Sequence, residues 1–152
     1  MHGSAHVSTP VGARVRDIKD VLLKVYVERR LKVTTDLPDS IAVACEPQDL
    51  DEMLGNVLDN AFKWASSVIN VAGRVDGKQV VLEISDDGPG ITNEKIEDVL
   101  RAGQKLDESV AGHGFGLSIT RELAELYGGS LELNRAVSGG LKVTISLPAT
   151  DQ

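Results

Sequence analysis

Cysteine is nearly absent. Cys45 is the only one in 152 residues, which excludes an intrachain disulfide or a cysteine-held metal cluster and fits a reducing compartment. Aromatic residues make up 3% of the chain, so a core must be built almost wholly from aliphatic side chains. No apolar run approaches the ~18 residues a membrane-crossing helix needs, and the opening MHGSAHVSTP lacks the apolar stretch of a secretion signal. Positive charge is short as well: 16 Lys and Arg stand against 23 Asp and Glu, a net charge of −7. Nucleic acid is thereby excluded as the main partner, because phosphate backbones require clustered Lys and Arg. A small anion can still bind where it brings a cation or meets a local group of amides and Lys.

What is present is ordinary globular material, 41% hydrophobic and 26% charged, of a length that suits one domain. Residues 1–9, with His2 and His6 among them, read as a cloning scar or linker, and residues 10–150 as the domain. Pro10 marks a helix start, and Val15, Ile18, Leu22, Val25 and Tyr26 recur at helical spacing between Val11 and Arg30. Strand character follows at Lys32–Asp36 and again at Ile41–Cys45, around the turn Leu37-Pro38-Asp39-Ser40. A second helix begins near Pro47. Val68–Arg74 and Gln79–Asp86 are strands joined through Asp76-Gly77, a hairpin signal. Residues 93–100 suit a short helix. Residues 101–114 lack periodicity and have few apolar anchors beyond Leu106, as expected of a functional or mobile loop. A third helix runs from Phe115 to Gly128-Gly129, a C-terminal cap signal. Ser130–Asn134 and Leu141–Leu147 complete the strands. Strands in adjacent pairs favour a mixed sheet covered by helices on one face.

Three motifs carry chemistry. In the second helix, Leu50, Met53, Leu54, Val57, Leu58 and Ala61 form an apolar stripe, and Glu52, Asn56, Asn60 and Lys63 fall on the opposite side. Carboxamides and an amine on adjacent turns can hold a metal ion and phosphate oxygens, although a solvated face gives the same pattern. Asp86-x-Gly88-x-Gly90, with Ile91 next, stands where a strand meets a turn. The aspartate can accept a hydrogen bond from an exocyclic amine, and the glycines let a flat ring approach the backbone; a plain turn is the alternative. Gly112-His113-Gly114-Phe115-Gly116-Leu117 leads from the loop into a helix, where free N–H groups and the helix dipole can meet an anion. It is neither a Walker loop, lacking Gly-Lys-Ser/Thr, nor a Rossmann fingerprint, lacking the preceding strand. Each motif is ambiguous alone, but the three occur in order at nearly even intervals.

Together they resemble the catalytic ATP-binding domain of bacterial sensor histidine kinases, in the superfamily shared with gyrase-type topoisomerases, heat-shock chaperones and mismatch-repair ATPases. The segments GNVLDNAFKW, DDGPGI and RAGQK are most similar to PhoQ-type kinases. The resemblance implies an α/β sandwich of the Bergerat type, a mixed five-stranded sheet against three helices with a mobile ATP lid. It implies ATP and Mg2+ as ligands, with Asn60 and Asn56 on the metal and phosphates and Lys63 on a phosphate. It puts Trp64 beside the purine, Asp86 on the adenine amine, and Gly88, Gly90 and Ile91 under the ring. In the lid it puts Lys105 on a phosphate and Gly112, Gly114, Phe115, Gly116 and Leu117 along the nucleotide. His113 replaces a metal-contacting glutamine and Val110 an arginine, and Thr144 corresponds to a polar position behind the adenine pocket.

The resemblance further implies a reaction. Related ATPases carry a water-activating glutamate one helical turn before the metal-binding asparagine. Asn56 stands there, and a carboxamide cannot act as a general base; Glu52 is a further turn away, about 6 Å along the axis. The expectation is a kinase that holds ATP and passes its γ-phosphate to a histidine on its own dimerisation domain, and thence to a response regulator. No histidine in this chain has the context of the phosphoacceptor. The implied parent is a dimer anchored in the inner membrane, with this domain cytoplasmic and monomeric by itself. A regulatory nucleotide-binding module without transfer, or a small ATPase of the superfamily, are the alternatives.

Overall fold

The computed structural model describes residues 7–92, 95–96 and 114–150. Within them a short strand β1 (Thr9–Pro10) leads into α1 (Val11–Val25), followed by a 3-10 turn (Val27–Arg29), β2 (Lys32–Asp36), β3 (Ala42–Val43) and α2 (Pro47–Trp64). Strands β4 (Val68–Asp76) and β5 (Gln79–Asp86) come next, then α3 (Gly114–Leu126), β6 (Ser130–Arg135) and β7 (Leu141–Pro148). The main sheet has the order β2-β4-β5-β7-β6. β2 and β4 are parallel, with α2 in the crossover between them, and the other pairs are antiparallel. This is the mixed five-stranded sheet with three helices, as counted among the described residues, that the sequence led one to expect.

Alternation along the strands decides which face the helices cover. Val80, Leu82, Ile84, Val143, Ile145 and Leu147 are buried beneath them. Their neighbours Glu83, Lys142, Thr144 and Ser146 point the other way and keep partial exposure. α2 packs against α1, α3 and β5. Its stripe behaves as read: Leu50, Met53, Leu54, Val57 and Leu58 are fully buried and Ala61 nearly so. Phe62 joins them, with its ring 5.8 Å from that of Tyr26, which caps the C-terminal end of α1.

Three expectations change. The Ile41–Cys45 segment does not enter the main sheet: only Ala42–Val43 form a ladder, and they pair with Thr9–Pro10. Its period-two burial is real, since Ile41, Val43 and Cys45 all point inward, but the segment caps the end of the sheet, where the Ala44 N–H donates to the Pro148 carbonyl. Thr9, set apart with the leading residues, is 3% exposed and donates its hydroxyl to the Cys45 carbonyl at 2.6 Å. The first helix ends at Val25 instead of Arg30: Tyr26 leaves helical geometry (φ −105°, ψ 32°), and the 3-10 turn after it ends at Arg30, whose left-handed conformation (φ 53°) leads the chain into β2. Of the short helix expected over 93–100, only Lys95 and Ile96 are described, and both are helical. The rest of it, and the loop to residue 113, lies outside the described residues.

Candidate nucleotide site

Asp86 is the last residue of β5 and continues the row of Val80, Leu82 and Ile84 that faces the helices. It is therefore carried inward and is 3% exposed. Its Oδ1 accepts the Gly88 N–H at 2.8 Å and the Leu141 N–H at 3.4 Å. Burial pushes its pKa up, those two hydrogen bonds oppose the shift, and the neighbouring Asp87 charge adds to it. Among the described residues the hydrogen bonds to this carboxylate all reach Oδ1, so Oδ2 is the oxygen that can meet a ligand donor. The turn before β7 closes around it: Ser138 donates its hydroxyl to the Asp86 carbonyl at 2.9 Å. A side chain at Gly140 would strike both that carbonyl and Oδ1.

The motifs converge on α2. A Cβ on Gly88 would fall on the Trp64 carbonyl, so the Asp-x-Gly turn lies directly on the C-terminal end of α2. Gly90 holds φ +76°, a conformation that strains any side chain, and a Cβ there would press on the Gly139 carbonyl at 2.9 Å. At the other motif, Gly116 in the first turn of α3 faces Asn56, whose Cβ and Cγ stand 3.5 Å from where a Gly116 Cβ would be. Thr120, fully buried, donates to the Gly116 carbonyl at 2.9 Å and lies 3.5 Å from Asn56 Nδ2.

The remaining residues singled out in the sequence divide. Asn56 is half-buried and Lys63 and Glu52 are exposed, but Asn60 is 6% exposed, so its carboxamide is not on a solvated face. Trp64 and Ile91 are half-buried, and Ile91 packs against the core. Leu117 is fully buried; it anchors α3 in the core and offers no surface to a ligand. Gly114 and Phe115 start α3. Thr144 is a correction. It pairs laterally with Glu83 and Glu132 on the sheet face away from the helices, while Val143 takes the inward position, so it cannot stand behind a pocket on the helix side. Lys105, Gly112 and His113, together with the lid itself, lie outside the described residues.

Two side chains that the sequence reading passed over hold this junction. The Asp87 carboxylate accepts the N–H groups of Ser66, Ser67 and Val68 at 2.9, 2.9 and 3.0 Å, and the Ser67 hydroxyl at 2.7 Å. Burial alone would raise its pKa, yet these bonds outweigh that and hold it well below the usual carboxylate range. Arg29 donates to the carbonyls of Phe62 and Lys63 at 2.9 Å each, and to that of Ala65. Nothing local in the sequence signals either contact, since the partners are 19 to 36 residues away.

Among the described residues no three His, Cys, Asp or Glu side chains come together as metal ligands. Beyond the exposed carboxylate of Glu52, the oxygen donors on the α2 arc are the carboxamides of Asn56 and Asn60, one turn apart. Neutral oxygens of this kind suit a magnesium ion that takes its other ligands from phosphates and water.

A buried carboxylate at a strand end, an amide-bearing helix face and a glycine junction opening a helix are the features of a nucleotide-binding class of α/β sandwich. The sequence profile described as "Histidine kinase-, DNA gyrase B-, and HSP90-like ATPase" matches residues 45–151, and the chain belongs to that family. It is 44% identical over 118 residues to the sensor protein kinase CarS of Pseudomonas aeruginosa, covering 78% of this chain and 26% of that protein. It is 31% identical over 136 residues to the sensor protein PhoQ of Escherichia coli K12, covering 90% of this chain and 28% of that one. The chain thus spans under a third of the curated relatives it matches. The fold is that of the mycobacterial sensor histidine kinase MprB, with a TM-score of 0.82 at 22% identity over 96% of this chain and 100% of that one. The nucleotide-free catalytic domain of histidine kinase ThkA gives 0.83 at 16% identity, over 96% and 98%.

Proposed function

We propose that this chain holds Mg·ATP and donates the γ-phosphate to a histidine on a separate dimerisation domain of its parent protein. The observation that carries the reading is the junction of Asp86 with α2. The buried carboxylate offers one oxygen to an adenine amine, and the Gly88 contact with the Trp64 carbonyl sets the phosphate-binding arc of Asn56, Asn60 and Lys63 beside it. Asn60 and Asn56 would hold a magnesium ion together with phosphate oxygens, and the ion would neutralise charge on the phosphates. Lys63, exposed at the end of the arc, adds a mobile positive charge.

Asn56 supports transfer over hydrolysis. It lies against Gly116 and Thr120, and its carboxamide can position a phosphate but cannot deprotonate water. Positioning and charge neutralisation are what phosphoryl transfer asks of a protein. Lys105, Gly112 and His113 would complete the phosphate side from the segment before α3. The dimerisation domain, a response regulator downstream and anchorage of the parent in the inner membrane belong to the same proposal. Among the described residues no helix is long and apolar enough to cross a membrane.

The test supplies γ-labelled ATP and a separate domain bearing the phosphoacceptor histidine. Label on that histidine is the expected result. Tight nucleotide binding without label would identify a regulatory module instead, and free phosphate alone would identify a hydrolase.

A further inference from the structure

The turn from α2 into β4 is held at both ends by opposite charges. Arg29 binds the carbonyls of Phe62, Lys63 and Ala65, and Asp87 binds the N–H groups of Ser66, Ser67 and Val68. The cation lies on acceptors that a helix end leaves unpaired, and the anion on donors that the following turn leaves unpaired. Between them is Trp64, whose carbonyl rests on Gly88. Asp87 adjoins the adenine-binding Asp86, so it belongs to the purine side of the junction. Arg29 reaches in from the turn after α1, outside the residues 45–151 that the family profile matches.

We infer that Arg29 is a positioning residue for the nucleotide site, fixing the end of α2 so that its phosphate-binding arc is in register with Asp86. The inference rests on the nucleotide reading above. Asp86 itself is held by Gly88, Leu141 and Ser138, none of which Arg29 touches. Arg29 reaches Asp86 only indirectly, through the contact of Trp64 with Gly88, so its effect falls chiefly on the phosphate half of the ligand. Tyr26, at the C-terminal cap of α1, works in the same direction, donating its hydroxyl to Asp59 at 2.8 Å. It leaves the carbonyl end of the helix to Arg29.

The test titrates the chain and its Arg29→Ala and Arg29→Lys variants with adenosine and with a non-hydrolysable ATP analogue plus magnesium, at a temperature well below each melting point. For Arg29→Ala the ratio of analogue to adenosine affinity should fall about fivefold, the scale of a lost cation at a helix C-terminus. Adenosine affinity should hold, and the emission of Trp64, the chain's one tryptophan, should shift. Arg29→Lys, which keeps the charge, should recover most of the ratio. An unchanged ratio in a folded Arg29→Ala, whatever its melting point, would overturn the inference and leave Arg29 a stabilising residue only. Should that variant not fold, Arg29→Gln is judged by the same ratio. A parent chain that binds neither ligand defeats the nucleotide reading itself.

Discussion

Replacing Asp86 by Ala tests the proposed purine side of the site at its buried carboxylate. At 3% exposure, with Oδ1 already accepting two backbone N–H groups, the carboxylate has one oxygen to give an exocyclic amine. A hydrogen bond to a charged acceptor is worth about 1.5–3 kcal/mol, so the variant should bind an ATP analogue roughly 10- to 150-fold more weakly. The fold should feel far less. The Gly88 and Leu141 N–H groups lose their acceptor, but a charge whose ionisation burial opposes is removed as well, and the two effects are opposite in sign. Because the pKa of Asp86 is raised on folding, its ionised form counts against the native state. That penalty is relieved as pH falls through the folded pKa toward the unfolded one, where both states are protonated. Analogue affinity should decline as pH falls through that raised pKa. Calorimetric titration across pH, with melting of the free protein in parallel, reads both. Unchanged affinity in the Ala variant, or a pH profile that the variant shares, would refute the placement of the base at Asp86.

Asn60→Ala should abolish the gain in analogue affinity on adding magnesium while sparing adenosine, as titrations with and without the ion will read; equal loss of both ligands would point to a disturbed helix instead. Gly88→Ala should drive its methyl group into the Trp64 carbonyl, costing about 1–3 kcal/mol of stability in denaturant unfolding; a stability equal to the parent's would mean the two segments part easily. Asp87 behaves oppositely to its neighbour. Its pKa is depressed on folding, so its contribution is present above the unfolded carboxylate pKa and is lost as pH falls through the folded value. Asp87→Asn should therefore flatten the acid limb of the melting profile, and an acid limb identical to the parent's would count against the clamp.

How much of this was legible depends on whether the signal is periodic or long-range. The stripe of α2 and the alternation of β5 and β7 are local repeats, and they placed the core correctly. Alternation also carried the true position of Thr144. In LKVTISLP the apolar residues Leu141, Val143, Ile145 and Leu147 claim one face, and the polar one between them must take the other. The family resemblance assigned Thr144 to the pocket against that pattern, and the pattern prevails. Asn60 shows a limit of the helical wheel: it stands about 20° from Met53, at the edge of the polar arc, and only the three-dimensional packing around α2 decides that it is buried. The partners of Ile41–Cys45, Asp87, Arg29 and Ser138 are set by the three-dimensional arrangement alone. A pairing between Thr9–Pro10 and Ala42–Val43 leaves no trace in either segment.

The strand order has a consequence for how the protein behaves among copies of itself. β5, which carries Asp86, is the middle strand, and among the described residues the two strands with an open side are β2 and β6. A free strand edge is a template for adding another chain, and natural sheets blunt it with charge and brevity. β2 is five residues long with Lys32 and Asp36 at its ends, and β6 is six residues long and carries Glu132 and Arg135. The central strands Gln79–Asp86 and Leu141–Pro148, with their rows of Val, Leu and Ile, are held inside these charged margins. A site built from the centre of the sheet thus lies as far as the fold allows from the edges where self-association would begin.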